Sequence, residues 1–274
     1  MTTAPPPDRP STWRSLLRSP LFDIVQFFIL VALVFWVFAR GTAELGYNWH
    51  WYRVPRYIYT LDAETGFTPG PLLEGLKVTF QISGISLLLS FAIGLLTALF
   101  RLSDSFVARM LARFYLEVSR NTPLLIQIFF IYFVLGPVLG LDRFISAVLA
   151  LSLFEGAYAS EIFRAGIVSI ARGQWEAAYS LGLSGYQSYR HIILPQAIRR
   201  ILPPLTSQAI SLVKDSALVS TIAIYDLTMQ AQAIIAETYM TFELWFTVAL
   251  MYLAVTVTLS VVVAIMEKRF KVLT

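Results

Sequence analysis

Five charged side chains lie inside two apolar stretches of this sequence, and their chemistry needs an explanation first. Glu155, Glu161 and Arg164 share one apolar run, and Lys214 and Asp215 share another. An ionised group at the centre of a bilayer costs about 2.5–3.5 kcal/mol on insertion scales, so such residues are seldom without a function. They suit either pairing with opposite charges or recognition of a charged solute.

The spacing of the first group leaves two interpretations open. Glu161 and Arg164 are three residues apart, so they share a helix face and could neutralise each other. Glu155 and Tyr158 are also three apart, and Glu155 has no obvious partner on its own helix. We therefore weigh a structural ion pair against a solute path that Glu155, Tyr158, Glu161 and Arg164 line, where a carboxylate meets an α-ammonium group.

The second group cannot be explained as one simple pair. Lys214 and Asp215 are adjacent, so on a helix they point about 100° apart. Lys214 is expected to contact either the carboxylate of a solute or an acidic residue such as Glu161 on the neighbouring helix. The sequence alone does not choose between them.

Several kinds of chemistry are excluded by residue usage. Cysteine is absent, and the two histidines, His50 and His191, are far apart in sequence. Thiol catalysis, disulfides and a histidine or cysteine metal site are therefore not expected. Ser160 lies beside Glu161, but no histidine lies in an apolar run to act as its base, so no catalytic residue is predicted.

The elements that carry these charges are membrane helices. Hydrophobic residues make up 57% of the 274 and charged residues only 14%, against about 25% charged in soluble domains. Each apolar run is long enough to cross a hydrocarbon core of about 30 Å. The six predicted crossings are Leu21 to Ala39, Thr79 to Phe100, Pro123 to Leu141, Phe144 to Ile167, Ile201 to Ile222 and Leu244 to Met266. The fold class is therefore an all-α integral membrane protein.

Two helix boundaries are open to a specific prediction. The first run could be a signal peptide, but its 19 residues exceed the usual signal core of about 7–15, which favours a retained helix. The third run begins Asn121-Thr122-Pro123, which predicts polar caps followed by an early proline.

The basic residues predict orientation. Fourteen of the 21 fall on one side of the predicted crossings and five on the other, in short clusters between apolar runs. The excess places both termini in the cytoplasm. This distribution also argues against nucleic acid as a partner, although the net charge is +4.

Two non-cytoplasmic segments follow from this topology. Tyr47 to Tyr59 is dense in tyrosine and tryptophan, which suits a segment at the lipid–water boundary. Asp226 to Glu243, within residues 225–243, has no basic residue, and Ile234, Ile235 and Tyr239 fit one face of a short helix. An external gate and a plain connector both remain open for it.

One cytoplasmic segment, Gly173 to Pro195, is too polar to span and too regular for a loose loop. We predict a short helix over Gln174 to Leu183 and a second that starts at Ser184, where Gln187 completes a capping box. Pro195 is expected to stop or kink the chain before the next crossing. The pair of helices would project from the membrane, and small residues would allow another surface to approach, namely Ala177, Ala178 and Gly182.

This segment carries a family resemblance. Glu176-Ala177-Ala178, Gly182, Ile192 and Leu194-Pro195 match the EAA signature of ABC importer membrane subunits in spacing and type. The resemblance implies a type I ABC importer fold in which this helix docks into a separate ATP-hydrolysing subunit and transmits its closure. Glu176 and Gly182 are the residues it implies as central to docking.

The resemblance extends over roughly Gly75 to Lys271. The stretches Arg120 to Leu125, Ala157 to Arg164, Leu194 to Ala197 and Lys214 to Ser216 are similar to the histidine/glutamine/glutamate-type permeases of polar amino acids. Asn121 and Thr122 would then belong to the substrate path. Asn121 replaces a glycine often found before Thr-Pro, a variant that the resemblance associates with acidic or broad amino acid systems, so that acidic substrates such as glutamate and aspartate are one expectation.

The resemblance also implies a domain organisation. Residues 1–20 would be a disordered cytoplasmic tail, residues 21–74 an additional membrane helix with a periplasmic aromatic segment, and residues 75–271 the importer's transmembrane domain. The protein would lie in the cell inner membrane.

Partners follow from the same resemblance and from one absence. The sequence has no GxxxxGK[ST] phosphate loop, so ATP and magnesium are expected on a partner and no cofactor on this chain. The implied partners are two ATPase subunits, a second permease (a copy or a sister chain), an external amino-acid-binding protein and membrane lipid. The rival within membrane proteins is an ion-coupled carrier or channel, which leaves the EAA helices unexplained.

Overall fold

The computed structural model describes residues 20–62 and 66–270, and these residues are helical apart from one short β-hairpin. The chain divides into two compact units, Met1–Trp49 and His50–Thr274. In the first unit, helix α1 (Pro20–Glu44) exposes nearly all of its large apolar side chains, as a helix surrounded by lipid does. The predicted tail over residues 1–20 lies almost wholly outside the described residues, as does Lys271.

The second unit opens with short elements and continues as a helical bundle. In chain order it contains a 3₁₀ turn (Trp51–Arg53), α2 (Pro55–Ile58), β1 (Tyr59–Asp62), β2 (Gly66–Pro69), α3 (Pro71–Leu102), α4 (Phe106–Asn121), α5 (Leu124–Phe129), a π-helix (Phe130–Leu135), α6 (Gly136–Leu139), α7 (Arg143–Val168), α8 (Arg172–Ser180), α9 (Gly185–Ser188), a second π-helix (Tyr189–Ile193), α10 (Leu194–Asp215), a 3₁₀ segment (Ser216–Ile222), α11 (Leu227–Thr238) and α12 (Thr241–Phe270). The strands pair antiparallel.

Membrane-spanning helices account for most of the chain. Within the described residues, α1, α3, α7 and α12 are each long and apolar enough to cross a membrane alone. The other two predicted crossings lie in bent pairs: α4 with the α5–α6 stretch, bent by 110°, and the stretch Gly185–Ile222 with α11, bent by 46°. The multi-pass helical fold is thus confirmed, with four crossings as single helices and six in all if each bent pair is one crossing.

Polar caps set several helix starts. Asp142 accepts a hydrogen bond from Ile145 N (2.7 Å) at the start of α7, and Asp226 accepts one from Met229 N (2.9 Å) at the start of α11. Each carboxylate satisfies an amide that the first helical turn leaves unpaired. The capping box predicted at Ser184 and Gln187 is confirmed at the start of α9.

The predicted caps of the third crossing are wrong. Asn121 ends α4, Thr122 follows it as the C-cap, and Pro123 is the N-cap residue of α5. Helix α4 was not predicted from the sequence, because its arginines were used only to assign membrane orientation. Its apolar residues recur at helical spacing, and they are exposed at Phe106, Val107, Met110, Leu111, Phe114 and Val118.

The predicted stop of the helix at Pro195 is also wrong. Helix continues from α9 through the π-helix into α10, and Pro195 lies in the first turn of α10. The π-helical turn Tyr189–Ile193 lies directly before Leu194 and Pro195 and changes the hydrogen-bond register there, so the helix continues at a residue that has no amide to donate. Pro203 and Pro204 also lie within α10.

The segment before the last crossing is helical, but its predicted face is only partly right. Ile234 of α11 is buried, whereas Tyr239 is 80% exposed and has left the helix with φ of 58°. Whether this segment is a gate stays a prediction.

Three apolar clusters follow one another along α3. The hairpin-end cluster surrounds Leu72, the middle cluster surrounds Ile82, and the α8-end cluster includes Phe91. Leu72 and Phe91 are about 28 Å apart at 1.5 Å per residue, close to the thickness of a hydrocarbon core. The hairpin and α8 therefore lie at opposite ends of the bundle.

Small residues allow α3 and α7 to pack closely along their length. A Cβ added at Gly94 of α3 would lie 2.8 Å from Ala159 Cβ and 3.0 Å from the carbonyl oxygen of Gly156, both on α7. Membrane helices associate by this kind of close contact because no hydrophobic effect drives them together in lipid.

Gly94→Val should therefore destabilise the bundle by about 1–3 kcal/mol, the usual cost of overpacking. Gly84→Val on the same helix is the matched control, since a Cβ at Gly84 meets nothing within 4 Å. Thermal unfolding in detergent, followed by circular dichroism, should show a lower midpoint for Gly94→Val alone. Equal midpoints for the two variants would show that this contact does not limit stability.

Candidate functional site

The EAA segment forms a short surface helix with one face packed and one face open. Helix α8 spans Arg172–Ser180, so it begins two residues before and ends three residues before the predicted bounds. Ala178 is buried, whereas Glu176 and Ala177 are exposed. The idea that Ala178 offers room to an approaching surface is thus wrong, because Ala178 faces the protein.

The open face of this segment carries large side chains. Tyr179 is 56% exposed, Leu181 75% and Tyr186 71%. A groove of about 420 Å³ runs beside them and is lined by Arg172, Trp175, Glu176 and Tyr179. Exposed aromatic and aliphatic side chains next to a carboxylate are typical of a surface that another protein covers.

Gly182 makes the turn after α8. Its φ is 72°, in the left-handed region, and its amide donates to the carbonyl of Tyr179 at 2.9 Å. Only glycine adopts this conformation without strain, so the residue is explained by the turn itself.

The packed face ties α8 to two membrane helices. Trp175 packs edge-on against Tyr189 at 4.8 Å between ring centroids, and both Trp175 and Ile192 lie against the α8-end cluster. That cluster joins the last turns of α7 to the start of α10 through Ala159, Ile167, Ile170, Ile193, Ala197, Ile201 and Leu205.

Hydrogen bonds reinforce this junction. Arg200 of α10 donates to the carbonyl of Ser169 (2.5 Å) and to its hydroxyl (3.0 Å), just after α7. Gln196 donates to Gln174 of α8 at 3.1 Å. Any displacement of α8 must therefore act on the ends of α7 and α10. Of the motif's last residues, Leu194 is 40% exposed and Pro195 is exposed, on α10.

A charge cluster lies near the same end of the bundle. Glu161 of α7 accepts from Arg101 of α3 (2.6 Å), Arg120 of α4 (3.0 Å) and Arg164 of its own helix (3.3 Å). The predicted pair of Glu161 and Arg164 is confirmed, but it is one of three. Because one carboxylate faces three guanidinium groups, the cluster keeps surplus positive charge.

A polar pocket of about 230 Å³ adjoins this cluster. Leu116, Glu117, Arg120, Asn121 and Tyr158 line it. Asn121 donates to the carboxylate of Glu117 at 2.8 Å, and the Arg120 guanidinium lies 6.0 Å from the centre of the Tyr158 ring. The pocket thus offers an anionic and a cationic group side by side.

Glu155 lies apart from this pocket. It is 1% exposed, and it accepts a short hydrogen bond from Gln208 of α10. Among the described residues, its other oxygen accepts no hydrogen bond, and the carboxyl group of Asp215 lies next to it. The partner that Glu155 lacks on its own helix is therefore supplied by the neighbouring one.

Two further predicted path residues lie elsewhere. Lys214 is exposed and, among the residues that the structure describes, forms no ion pair within 4.0 Å. The proposed contact of Lys214 with Glu161 is wrong, because arginines occupy that carboxylate. Thr122 faces an apolar groove of about 460 Å³ between α4 and α5, and its hydroxyl donates to the carbonyl of Val118 at 2.8 Å.

Sequence reasoning missed Arg101, Arg120, Glu117 and Gln208. The first two were counted as topology markers, and a partner on another helix leaves no spacing signal. The available clue was position: Arg101 lies in the last turn of α3 and Arg120 in the last turn of α4, where a cation also meets the negative end of the helix dipole.

The comparisons with known proteins agree with this geometry. Residues 90–272 match the family described as the binding-protein-dependent transport system inner membrane component. The glutamine transport system permease protein GlnP of Escherichia coli (strain K12) is 40% identical over 205 residues, which cover 74% of this chain and 94% of that protein. The probable glutamine ABC transporter permease protein GlnM of Bacillus subtilis (strain 168) is 39% identical over 200 residues, covering 73% and 93%.

Solved structures share the fold. A crystal structure of an amino acid ABC transporter with histidines has a TM-score of 0.69 at 37% identity, over 73% of this chain and 94% of that one. An inward-facing structure of the MetNI methionine ABC transporter has a TM-score of 0.64 at 18% identity, over 74% and 97%, and supports the fold alone.

The resemblance drawn from the EAA segment is thereby confirmed, and so is the non-enzymatic nature of the subunit. The chain belongs to the family of binding-protein-dependent transport system inner membrane components, the permease subunits of ABC importers.

Proposed function

We propose that this chain is the permease subunit of an ATP-driven importer for polar amino acids in the inner membrane. The observation that carries the proposal is the two-faced helix α8: open toward a partner on one side and packed into the ends of α7 and α10 on the other. An ATP-hydrolysing partner that moves α8 would move both membrane helices.

The coupling residues have distinct tasks in this proposal. Glu176 and Ala177 on the exposed face of α8 contact the ATPase, and Gly182 shapes the turn that presents this face. Ala178, Trp175 and Ile192 hold α8 on α10, and Leu194 and Pro195 form the exposed start of α10. Two ATPase subunits, with ATP and magnesium, would serve a pair of permeases, and an external binding protein would deliver the substrate at the other end.

Orientation supports the same arrangement. The basic residues favour a cytoplasmic position for the α8 end and for both termini. The ATPase would then act from the cytoplasm, and the hairpin end would face outward.

Substrate recognition is proposed at the polar pocket. An amino acid carries a carboxylate and an ammonium group, which suit the guanidinium of Arg120 and the carboxylate of Glu117 respectively. Tyr158 and the amide of Asn121 remain for a polar side chain. Glu155 is buried between α7 and α10 beside the half-buried Asp215, and it would become accessible only when those helices move.

The acidic preference is the finer part of the proposal. Its support is the surplus of guanidinium groups around Glu161, next to the pocket. Two of the relatives described above are named for glutamine, so a neutral polar side chain is the competing choice.

Charge reversal at Glu176 should abolish coupling. Glu176→Lys is expected to reduce ATP-dependent uptake in liposomes at least about tenfold, since hydrogen bonds to charged groups are worth about 1.5–3 kcal/mol. Glu74→Lys is the control, because Glu74 is also exposed but lies at the hairpin end of α3. Uptake that persists without any ATPase subunit would favour the carrier or channel instead.

Arg120→Gln should raise the substrate concentration needed for half-maximal uptake by about tenfold or more, because it removes a charged partner of the carboxylate. Arg113→Gln on the same helix should change this concentration by no more than about twofold, since Arg113 is exposed and forms no ion pair in the described residues.

Stimulation of ATP hydrolysis by glutamate, aspartate and glutamine in turn would separate the two substrate choices. A response to glutamine alone would refute the acidic preference and leave the importer proposal intact.

A further inference from the structure

The hairpin before α3 has one apolar and one polar face. Side chains alternate along each strand, and residues directly opposite share a face. The register pairs Leu61 with Phe67 and Thr60 with Thr68. Leu61 and Phe67 therefore lie on one face together with Tyr59 and its partner Pro69, and the two threonines lie on the other.

The contacts confirm this division. The hydroxyl groups of Thr60 and Thr68 are 2.6 Å apart and hydrogen-bonded across the polar face. On the apolar face, the rings of Tyr59 and Phe67 stack at 5.8 Å.

Within the described part of the unit His50–Thr274, the apolar face is open. Leu61 is 71% exposed, Phe67 60% and Tyr59 42%. A two-stranded hairpin is marginal in water unless its apolar face packs against something. The exposed face therefore calls for an occupant.

The hairpin cannot swing freely to hide this face. Val54 is buried, and Tyr57 and Ile58 pack against the hairpin-end cluster. The amide of Gly70 donates to the carbonyl of Ile58 at 2.7 Å, and a Cβ at Gly70 would lie 2.5 Å from the carbonyl oxygen of Tyr57. Since α3 starts at Pro71, the hairpin is fixed at the mouth of a membrane helix.

The neighbouring side chains indicate the chemistry of the occupant. Trp51 is 45% exposed, Tyr52 is 79% exposed, and Arg56 is exposed beside Tyr57, with its guanidinium 4.8 Å from that ring. Tryptophan and tyrosine concentrate at the headgroup level of a bilayer, and arginine binds lipid phosphate.

We propose that the face formed by Tyr59, Leu61, Phe67 and Pro69 inserts into the headgroup–acyl boundary of the phospholipid leaflet at this end of the bundle. Arg56 would then meet lipid phosphate. The proposal needs the membrane location of the chain, and it does not depend on coupling to an ATPase or on the substrate.

A lipid surface suits these observations better than a docked protein. The hairpin is joined to a membrane helix by a single residue, Gly70, so its distance from the bilayer is short.

The absence of cysteine makes a direct test simple. Leu61→Cys and Thr60→Cys place one thiol on each face of the same strand, and each is labelled with an environment-sensitive fluorophore. The full chain is reconstituted in phosphatidylcholine–phosphatidylglycerol vesicles that contain lipids with a nitroxide near the headgroup end of the acyl chain. Phe67→Cys repeats the apolar-face measurement from the second strand, and gel filtration confirms that each variant folds.

The fluorophores at 61 and 67 should be quenched at least about twofold more strongly than the one at 60, because apolar faces of interfacial elements lie within the acyl boundary. Equal quenching on both faces would overturn the proposal. Weak quenching at both 61 and 67 would also overturn the proposal. If adding the external binding protein then changed the fluorescence at those two positions, the face would be assigned to a protein.

Discussion

In the proposed importer, the packing of α8 against the ends of α7 and α10 is the contact through which an ATPase would act on the membrane helices. Trp175, Tyr189 and the α8-end cluster join a surface helix to two bundle helices that also carry Glu155 and Gln208. Closely packed apolar cores do not deform continuously, so a force on α8 is expected to move α7 and α10 as rigid bodies. Without this junction, the exposed face of α8 would have nothing to act upon.

The charges in the bundle are arranged consistently with that mechanical role. Glu161 joins α3, α4 and α7 through arginines, and Glu155 joins α7 to α10 through Gln208. Buried ionic and polar contacts contribute little net stability but strongly disfavour arrangements that leave one partner alone. Moving α10 relative to α7 would break the contact at Glu155, which gives the bundle discrete arrangements and not a continuum.

The sequence predicted the membrane class, the approximate crossings, the capping box at Ser184 and the family. These follow from local composition and spacing, which a sequence carries directly. It did not predict the partners of Glu155 and Glu161, because Gln208, Arg101 and Arg120 approach from other helices. The hairpin was missed since its strands are four residues each and follow an aromatic segment. Helix α4 was missed although its apolar spacing was visible, because its arginines were read for topology alone.

In the proposed mechanism, α8 passes motion from an ATPase to α7 and α10. The number of amino acids imported per ATP hydrolysed measures this coupling. Trp175→Ala loosens the packed face, whereas Tyr179→Ala alters the exposed face. The Trp175→Ala complex should still bind its ATPase and hydrolyse ATP but import several-fold fewer amino acids per ATP. Tyr179→Ala should instead weaken binding of the ATPase. If an intact Trp175→Ala complex imported as many amino acids per ATP as the unsubstituted one, the packed face of α8 would not transmit the motion.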